Sequence, residues 1–257
     1  MLKLWKFTLF FLLCLVLALL INLPIQQVLP YVKLPPTMQL ADIDGNLLKG
    51  RAREVKINDF PIRGIQYRYL PSCILLLKVC YQIDYDQGQL QVAYDVLNAD
   101  TEISRSSVEY PVARLLAHAP MPLLVIPTGR LQLEIDDMSM QQDKLLAVNG
   151  KLIWRNLGLD DDGTKIDIGD YQVDFSGDAS AYDFTFSDLN AALDVSGDGS
   201  VSSAGVYEVD VRISAENGIV PQVKSILDLV AVRSSVNQYR IEQKGRLPAS
   251  ITGQLFR

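Results

Sequence analysis

Histidine occurs once in this 257-residue chain, tryptophan twice and cysteine three times. Clusters of histidine and cysteine at metal-ligand spacing are therefore absent, and with them most zinc, copper and iron chemistry. The single histidine, His118, sits in an apolar stretch (LAHAPMPL) with no G-x-S-x-G elbow to serve. It reads as a surface or capping residue. No phosphate-cradling glycine loop and no dinucleotide fingerprint occurs. Basic excess is missing as well. The formal net charge is −6, which argues against nucleic acid or an anionic headgroup surface as the main partner, since both reward a basic patch. Calcium is the remaining metal to weigh. Asp194-x-Ser196-x-Asp198-Gly199 copies the first half of a calcium loop, but Gly205 stands where a closing bidentate Glu is needed. Acidic hairpin turns need no ion, and Asp160-Asp161-Asp162-Gly163 is most simply a solvated turn. No catalytic, cofactor-binding or metal-ligating residue is nominated, and neither an enzyme nor a cofactor is expected.

Charge is also missing from Phe7 to Leu23 (FTLFFLLCLVLALLINL), a run preceded by Lys3 and Lys6 and followed by Pro24. Seventeen helical residues span about 26 Å, and snorkelling lysines close the gap to a ~30 Å hydrocarbon core. No Ala, Gly or Ser lies between Leu19 and Leu40, so a signal peptidase finds no small-residue site. An uncleaved anchor is expected, with its positive end in the cytoplasm. The expected organisation is a cytoplasmic tail at 1–6, a transmembrane anchor at 7–23, a linker at 24–37 and an exported β domain at 38–257. Cys14 falls inside the anchor, leaving Cys73 and Cys80 outside it. An oxidising compartment permits a disulfide between them. Seven residues of a single strand would separate the sulfurs by about 23 Å, so a bond needs a tight reversal. Two unpaired buried thiols are the alternative.

Beyond the anchor, apolar and polar residues alternate. Leu90, Val92, Tyr94 and Val96 form one series; Tyr207, Val209, Val211, Ile213 and Ala215 form another. Tyr182, Phe184 and Phe186, and Leu131, Leu133 and Ile135, follow the same rule. Period two means one buried and one wet face, as in an antiparallel sheet. Turns are expected at Asp44-Gly45, Gln87-Gly88, Asn149-Gly150, Asp162-Gly163, Ser176-Gly177-Asp178 and Asp198-Gly199. Gly-x-Leu recurs irregularly from Gly45 to Gly253, as one hairpin device reused. Helix is expected only near 111–117 and 221–231, where Pro221 suits a first helical position and Val223, Ile226, Leu227 and Val230 share a face. Ser72–Lys78 is ambiguous between a helical turn and a buried strand. The fold class is therefore all-β: a single curved, groove-like antiparallel meander with one or two short helices, behind one transmembrane helix.

Four stretches carry a family resemblance. Gly45-Asn46-Leu47-Leu48-Lys49-Gly50-Arg51-Ala52 matches an approximate G-t-L-W-x-G-x-A pattern. Ile65 to Lys78 follows V-x-W-x-L-x-P-x-x-L-L-L-G, Gly150 to Trp154 follows G-x-x-x-W, and Gln238-Tyr239-Arg240-Ile241…Gly245-Arg246-Leu247-Pro248 matches a closing motif. In that order, behind an anchor, they resemble protein N of the bacterial type II secretion pathway. Leu48 and Tyr67 stand at usual tryptophan positions and Lys78 at a usual glycine, all of which look like packing sites. The resemblance implies a single-pass inner-membrane accessory component with a periplasmic β domain and no catalytic residues. Its partners would be other secretion components. Independently of the resemblance, an exposed sheet edge suits strand addition, and the edge strand nearest the C-terminus, around Tyr239–Arg246, is the candidate. A more distant similarity to AsmA-like envelope proteins suggests the second reading, a lipid-binding module whose apolar groove holds acyl chains.

Overall fold

Period-two alternation becomes strand in every region where the sequence displays it. The computed structural model describes residues 7–8, 10–12, 15, 19, 22–31, 38–57, 60–116, 126–141, 144–161, 164–215 and 218–248. These hold fourteen β-strands and three short α-helices, and the chain divides after Leu97 into two compact units. The first carries α1 (Ile25–Val28), β1 (Met38–Gly45), β2 (Lys49–Ile57), β3 (Phe60–Tyr69), β4 (Lys78–Tyr85) and β5 (Gly88–Asp95). Its strands pair in sequence order, each antiparallel to the last.

The second unit runs β6 (Asp100–Pro111), α2 (Val112–Leu116), β7 (Ile126–Gln141), β8 (Lys144–Asp161), β9 (Thr164–Asp178), β10 (Ala181–Ala191), β11 (Asp194–Ser202) and β12 (Val206–Ser214). It ends with α3 (Pro221–Val230), β13 (Val232–Ser235) and β14 (Gln238–Arg246). Pairing is again antiparallel and sequential up to β12, after which the order is β12–β14–β13. Each unit is thus a meander, as the alternation requires.

Of the apolar run Phe7–Leu23, the described residues Phe7, Thr8, Phe10, Phe11, Leu12, Leu15 and Leu19 are helical. Eight of the seventeen residues of the run lie outside the described residues, and among those described no helix is long and apolar enough to cross a membrane.

Three expected turns are corrected. Asn149-Gly150 lies inside β8, Ser176-Gly177-Asp178 closes β9 and Asp198-Gly199 lies inside β11. Their glycines answer to the neighbouring strand rather than to a reversal. Gly150 faces Phe175 directly across β8–β9, and a Cβ there would sit 2.8 Å from the ring's Cζ. Gly50 opposite Tyr67, Gly177 opposite Tyr182 and Gly245 opposite Tyr207 repeat the arrangement. In each, the aromatic ring occupies the space that a side chain would need. A strand glycine covered by a cross-strand aromatic keeps its backbone shielded despite lacking a side chain.

β7 to β10 share an aligned crease. Register shifts fall at Thr128/Arg130, Trp154/Leu157 and Asp188/Asn190, with Gly129 (φ 103) and Asn156 (φ 50) in the left-handed region. Bulges that line up across strands bend a sheet at one place. The crease is held by Trp154, whose Nε1–H donates to the Thr128 carbonyl at 3.0 Å. The Asn156 N–H donates to Asp170 Oδ1 at 2.6 Å.

The core of the second unit forms where α3 lies on the sheet. Val223 and Leu227, one turn apart, pack with Ile168, Leu193, Val211, Ile213 and Tyr239. Tyr239 is 1% exposed, and its hydroxyl donates to Asp228 Oδ1 at 2.7 Å on the same helix. The wet face carries cross-strand ion pairs instead, such as Lys244–Glu208 at 2.6 Å and Lys151–Glu134 at 2.9 Å. Arg240 grips Asp210 with both prongs, at 2.8 and 2.7 Å, and this holds the Asp210 carboxyl below its ordinary range.

Candidate interaction surfaces

One end of the first unit's meander gathers the β1–β2 turn, the β3–β4 connection and the end of β5. Two tyrosines brace the turn: Tyr67 Oη donates to the Asn46 carbonyl at 2.7 Å and Tyr81 Oη to the Leu47 carbonyl at 2.9 Å. Burial pushes both phenols above their ordinary pKa. The β3–β4 connection is a 3-10 helix, Pro71–Leu76, entered through Pro71 and ended by Leu77 in the left-handed region at φ 56. That turn supplies the reversal a disulfide needs. Cys73 and Cys80 are bonded, with Cα atoms 5.9 Å apart, and Cys80 is 1% exposed.

The disulfide pins a knuckle whose other side chains point outward. Ile74, Leu75, Leu76 and Leu77 are 61%, 87%, 69% and 57% exposed. Val79, Tyr94, Val96 and Leu97 extend the exposed apolar surface at the same end. The expected inward series Leu90–Val92–Tyr94–Val96 is therefore half-buried at its start and exposed at its finish. This surface was legible only as an apolar run without alternation, SCILLLK.

Beside β1 to β3 lies a cavity of about 730 Å³ lined in part by Asp42, Arg51, Arg53, Arg63, Gly64 and Asp86. Its arginines face carboxylates: Arg53–Asp42 at 2.9 Å, Arg63–Glu54 at 3.0 Å and Arg51–Asp44 at 3.6 Å. The bond from Arg63 lowers the Glu54 pKa. Charge here is balanced within the wall, so the cavity offers neither an anion trap nor an apolar channel.

The second unit ends in an incomplete edge. The expected edge strand Tyr239–Arg246 is corrected in part, because β13 pairs with Gln238, Tyr239 and Arg240. A four-residue strand covers no more, and among the described residues nothing pairs with Ile241–Arg246 on the side away from β12. β13 is exposed along its whole length, with Val232 at 74%, and Leu229 and Val236 beside it are at 82% and 76%. Arg233 ties the β13–β14 turn by donating to the carbonyls of Ser235 and Val236, each at 3.0 Å. β13 itself had no signal in the sequence beyond the end of the α3 pattern.

The remaining candidates disperse. Asp194, Ser196 and Asp198 stand along the exposed face of β11, extended rather than wrapped into a loop. Asp160 and Asp161 end β8, while Asp162, Gly163 and His118 lie outside the described residues. Among the described residues no group of three metal-binding side chains converges.

What the geometry defines is an all-β protein that offers surfaces: an apolar knuckle at one end of one meander and an unpaired edge on the other. The family model for the type II secretion system (T2SS), protein N, matches residues 36–242, and the chain belongs to that family. Membership makes it a component of the type II secretion system. No curated protein and no solved structure matched the chain, AsmA-like proteins included.

Proposed function

We propose that the chain is an inner-membrane accessory component of the type II secretion system, acting by protein–protein contact in the export of folded proteins from the periplasm. Residues 1–6 stay in the cytoplasm, 7–23 anchor the chain in a single pass, 24–37 link, and 38–257 stand in the periplasm. The uncharged run with its N-terminal lysines supports the topology, and the Cys73–Cys80 disulfide supports an oxidising compartment. The observation that carries the contact reading is the open stretch Ile241–Arg246 of the β14 edge, beside exposed Val232 and Val236. Unpaired backbone N–H and C=O groups beside apolar side chains suit strand addition by a partner component. No chemistry is required of it.

The test is a photo-crosslinking amino acid at Val232 in cells carrying the full chain, alongside secretion measured with and without the gene. Crosslinks to another secretion component, together with loss of secretion on deletion, support the reading. Undiminished secretion without the gene, and no crosslink at Val232, overturn it.

A further inference from the structure

The knuckle and the anchor meet at the same end of the first unit. Pro24, the first residue after the apolar run, forms a β-bridge with Asn46 at the tip of the β1–β2 turn. Gln26 then donates its side-chain amide to the Ile43 carbonyl at 3.0 Å, seating α1 against β1. No free tether therefore separates the end of the run from the sheet. The tip is fastened in turn to the knuckle's base: Tyr69 N–H donates to the Leu48 carbonyl at 2.7 Å, and Leu70 N–H to the Cys80 carbonyl at 2.9 Å. Val96 N–H donates to the Leu77 carbonyl at 3.3 Å, bringing the end of β5 to the same place.

We infer that this end of the unit is seated in the lipid of the bilayer surface, with Ile74, Leu75, Leu76 and Leu77 inserted beside the anchor. The inference rests on the reading of 7–23 as a membrane anchor. Topology fixes the direction. In the five-strand meander, β1, β3 and β5 end and β2 and β4 begin at the anchor's side, while the β4–β5 turn at Gln87 is at the opposite end. Composition agrees with immersion. Leu70 to Leu77 (LPSCILLL) carries no charge, and the charged residues that flank it in sequence, Arg68 and Lys78, stand at the strand ends behind it, as do Lys49 and Asp95. Four outward-facing aliphatic side chains gain by leaving water for the acyl boundary, as amphipathic surface elements do. No basic patch is needed, because burial of aliphatic surface supplies the attraction. The disulfide has a part in this. With Cys73 bonded to buried Cys80, the inward position of the 3-10 turn is taken by the disulfide and its leucines are left outward.

The test uses full-length chain reconstituted into vesicles of phosphatidylethanolamine and phosphatidylglycerol. In a Cys14→Ala background, a nitroxide is attached singly at Leu15→Cys, Leu75→Cys or Gln87→Cys, leaving the Cys73–Cys80 bond oxidised. Accessibility to oxygen, which concentrates in lipid, is compared with accessibility to a water-soluble nickel chelate. The expected result is an oxygen-to-nickel ratio several-fold higher at Leu75 than at Gln87, with Leu15 also on the lipid side. Leu15 in lipid with Leu75 as wet as Gln87 overturns the inference and leaves the anchor standing. Leu15 in water with Leu75 in lipid overturns the anchor reading and supports the knuckle as a membrane contact of its own. Both in water overturn both. A Leu75 label immobilised and shielded from both reagents assigns the knuckle to a protein partner, and that also overturns the inference.

Discussion

Leu227 and Leu229 lie two residues apart on α3 and face opposite surroundings. Leu227 is 7% exposed and belongs to the cluster with Val211, Ile213 and Tyr239, whereas Leu229 is 82% exposed. Truncating a buried leucine to alanine costs about 2–5 kcal/mol, through lost transfer energy and the cavity left behind. For Leu227, beside a helix end and a sheet that relax only partly, about 3 kcal/mol is the central expectation. A urea slope of about 2 kcal/mol per molar then predicts a midpoint lower by about 1.5 M. Thermal midpoints should fall by about 6–12 °C. Leu229→Ala should move either midpoint little, within about 0.5 kcal/mol. Trp154 lies in the same unit, with its indole bonded to the Thr128 carbonyl, and its fluorescence reports the transition once Trp5 is replaced by Phe. Equal shifts for the two substitutions would refute the docking of α3 through Val223 and Leu227. So would a Leu227→Ala midpoint unchanged within error.

Three further outcomes follow from particular groups. Gly150→Ala should destabilise by about 1–3 kcal/mol, since the new methyl meets the Phe175 ring and the Glu134 carbonyl, and Phe175→Leu in the same chain should recover part of the loss by urea titration. Opening the eight-residue Cys73–Cys80 loop should cost about 2.5 kcal/mol on a chain-entropy basis; chymotrypsin should then cut at Leu75–Leu77 much faster in reduced than in oxidised protein. Burial pushes the Tyr171 phenol up to about 12, above its ordinary pKa near 10. Its folded pKa is raised, so the stability it contributes is complete below about pH 10 and is lost as pH climbs through about 12; circular dichroism and phenolate absorbance measured together should show unfolding and ionisation in that window.

Strand content was legible because alternation is local. Tyr207 to Ala215 and Tyr182 to Phe186 can be read from neighbouring residues alone, and both series are inward in the structure. Helix α3 was equally plain, from Pro221 and a stripe of period 3.6. Gly150, Gly177 and Gly199 were misread as turns because what decides their role, the partner across the ladder, lies on another strand. The Cys73–Cys80 bond stayed open for a related reason: no residue near Leu77 announces a left-handed conformation. The edge at Tyr239–Arg246 was right from Ile241 onward and wrong for Tyr239 and Arg240, since Val-Arg-Ser-Ser has too little pattern to declare itself a strand. The apolar knuckle was visible as composition, but only the bond to Cys80 settles which way its leucines face.

Because nearly every strand pairs with the one before it, the first unit and most of the second can assemble progressively as the chain lengthens. Each new hairpin needs only the edge already laid down, so contacts stay short in sequence and folding can follow the order of the strands along the chain. The exception is β12, whose next neighbour is β14. Until residues beyond 238 arrive, β12 has a bare edge, and Val211 and Ile213 lack the Tyr239 that helps bury them. The cluster around Tyr239 is thus the last to close, and a chain stopped before β14 would hold its meander with the final layer left undone. This part of the protein becomes resistant to proteases only once β14 has paired with β12.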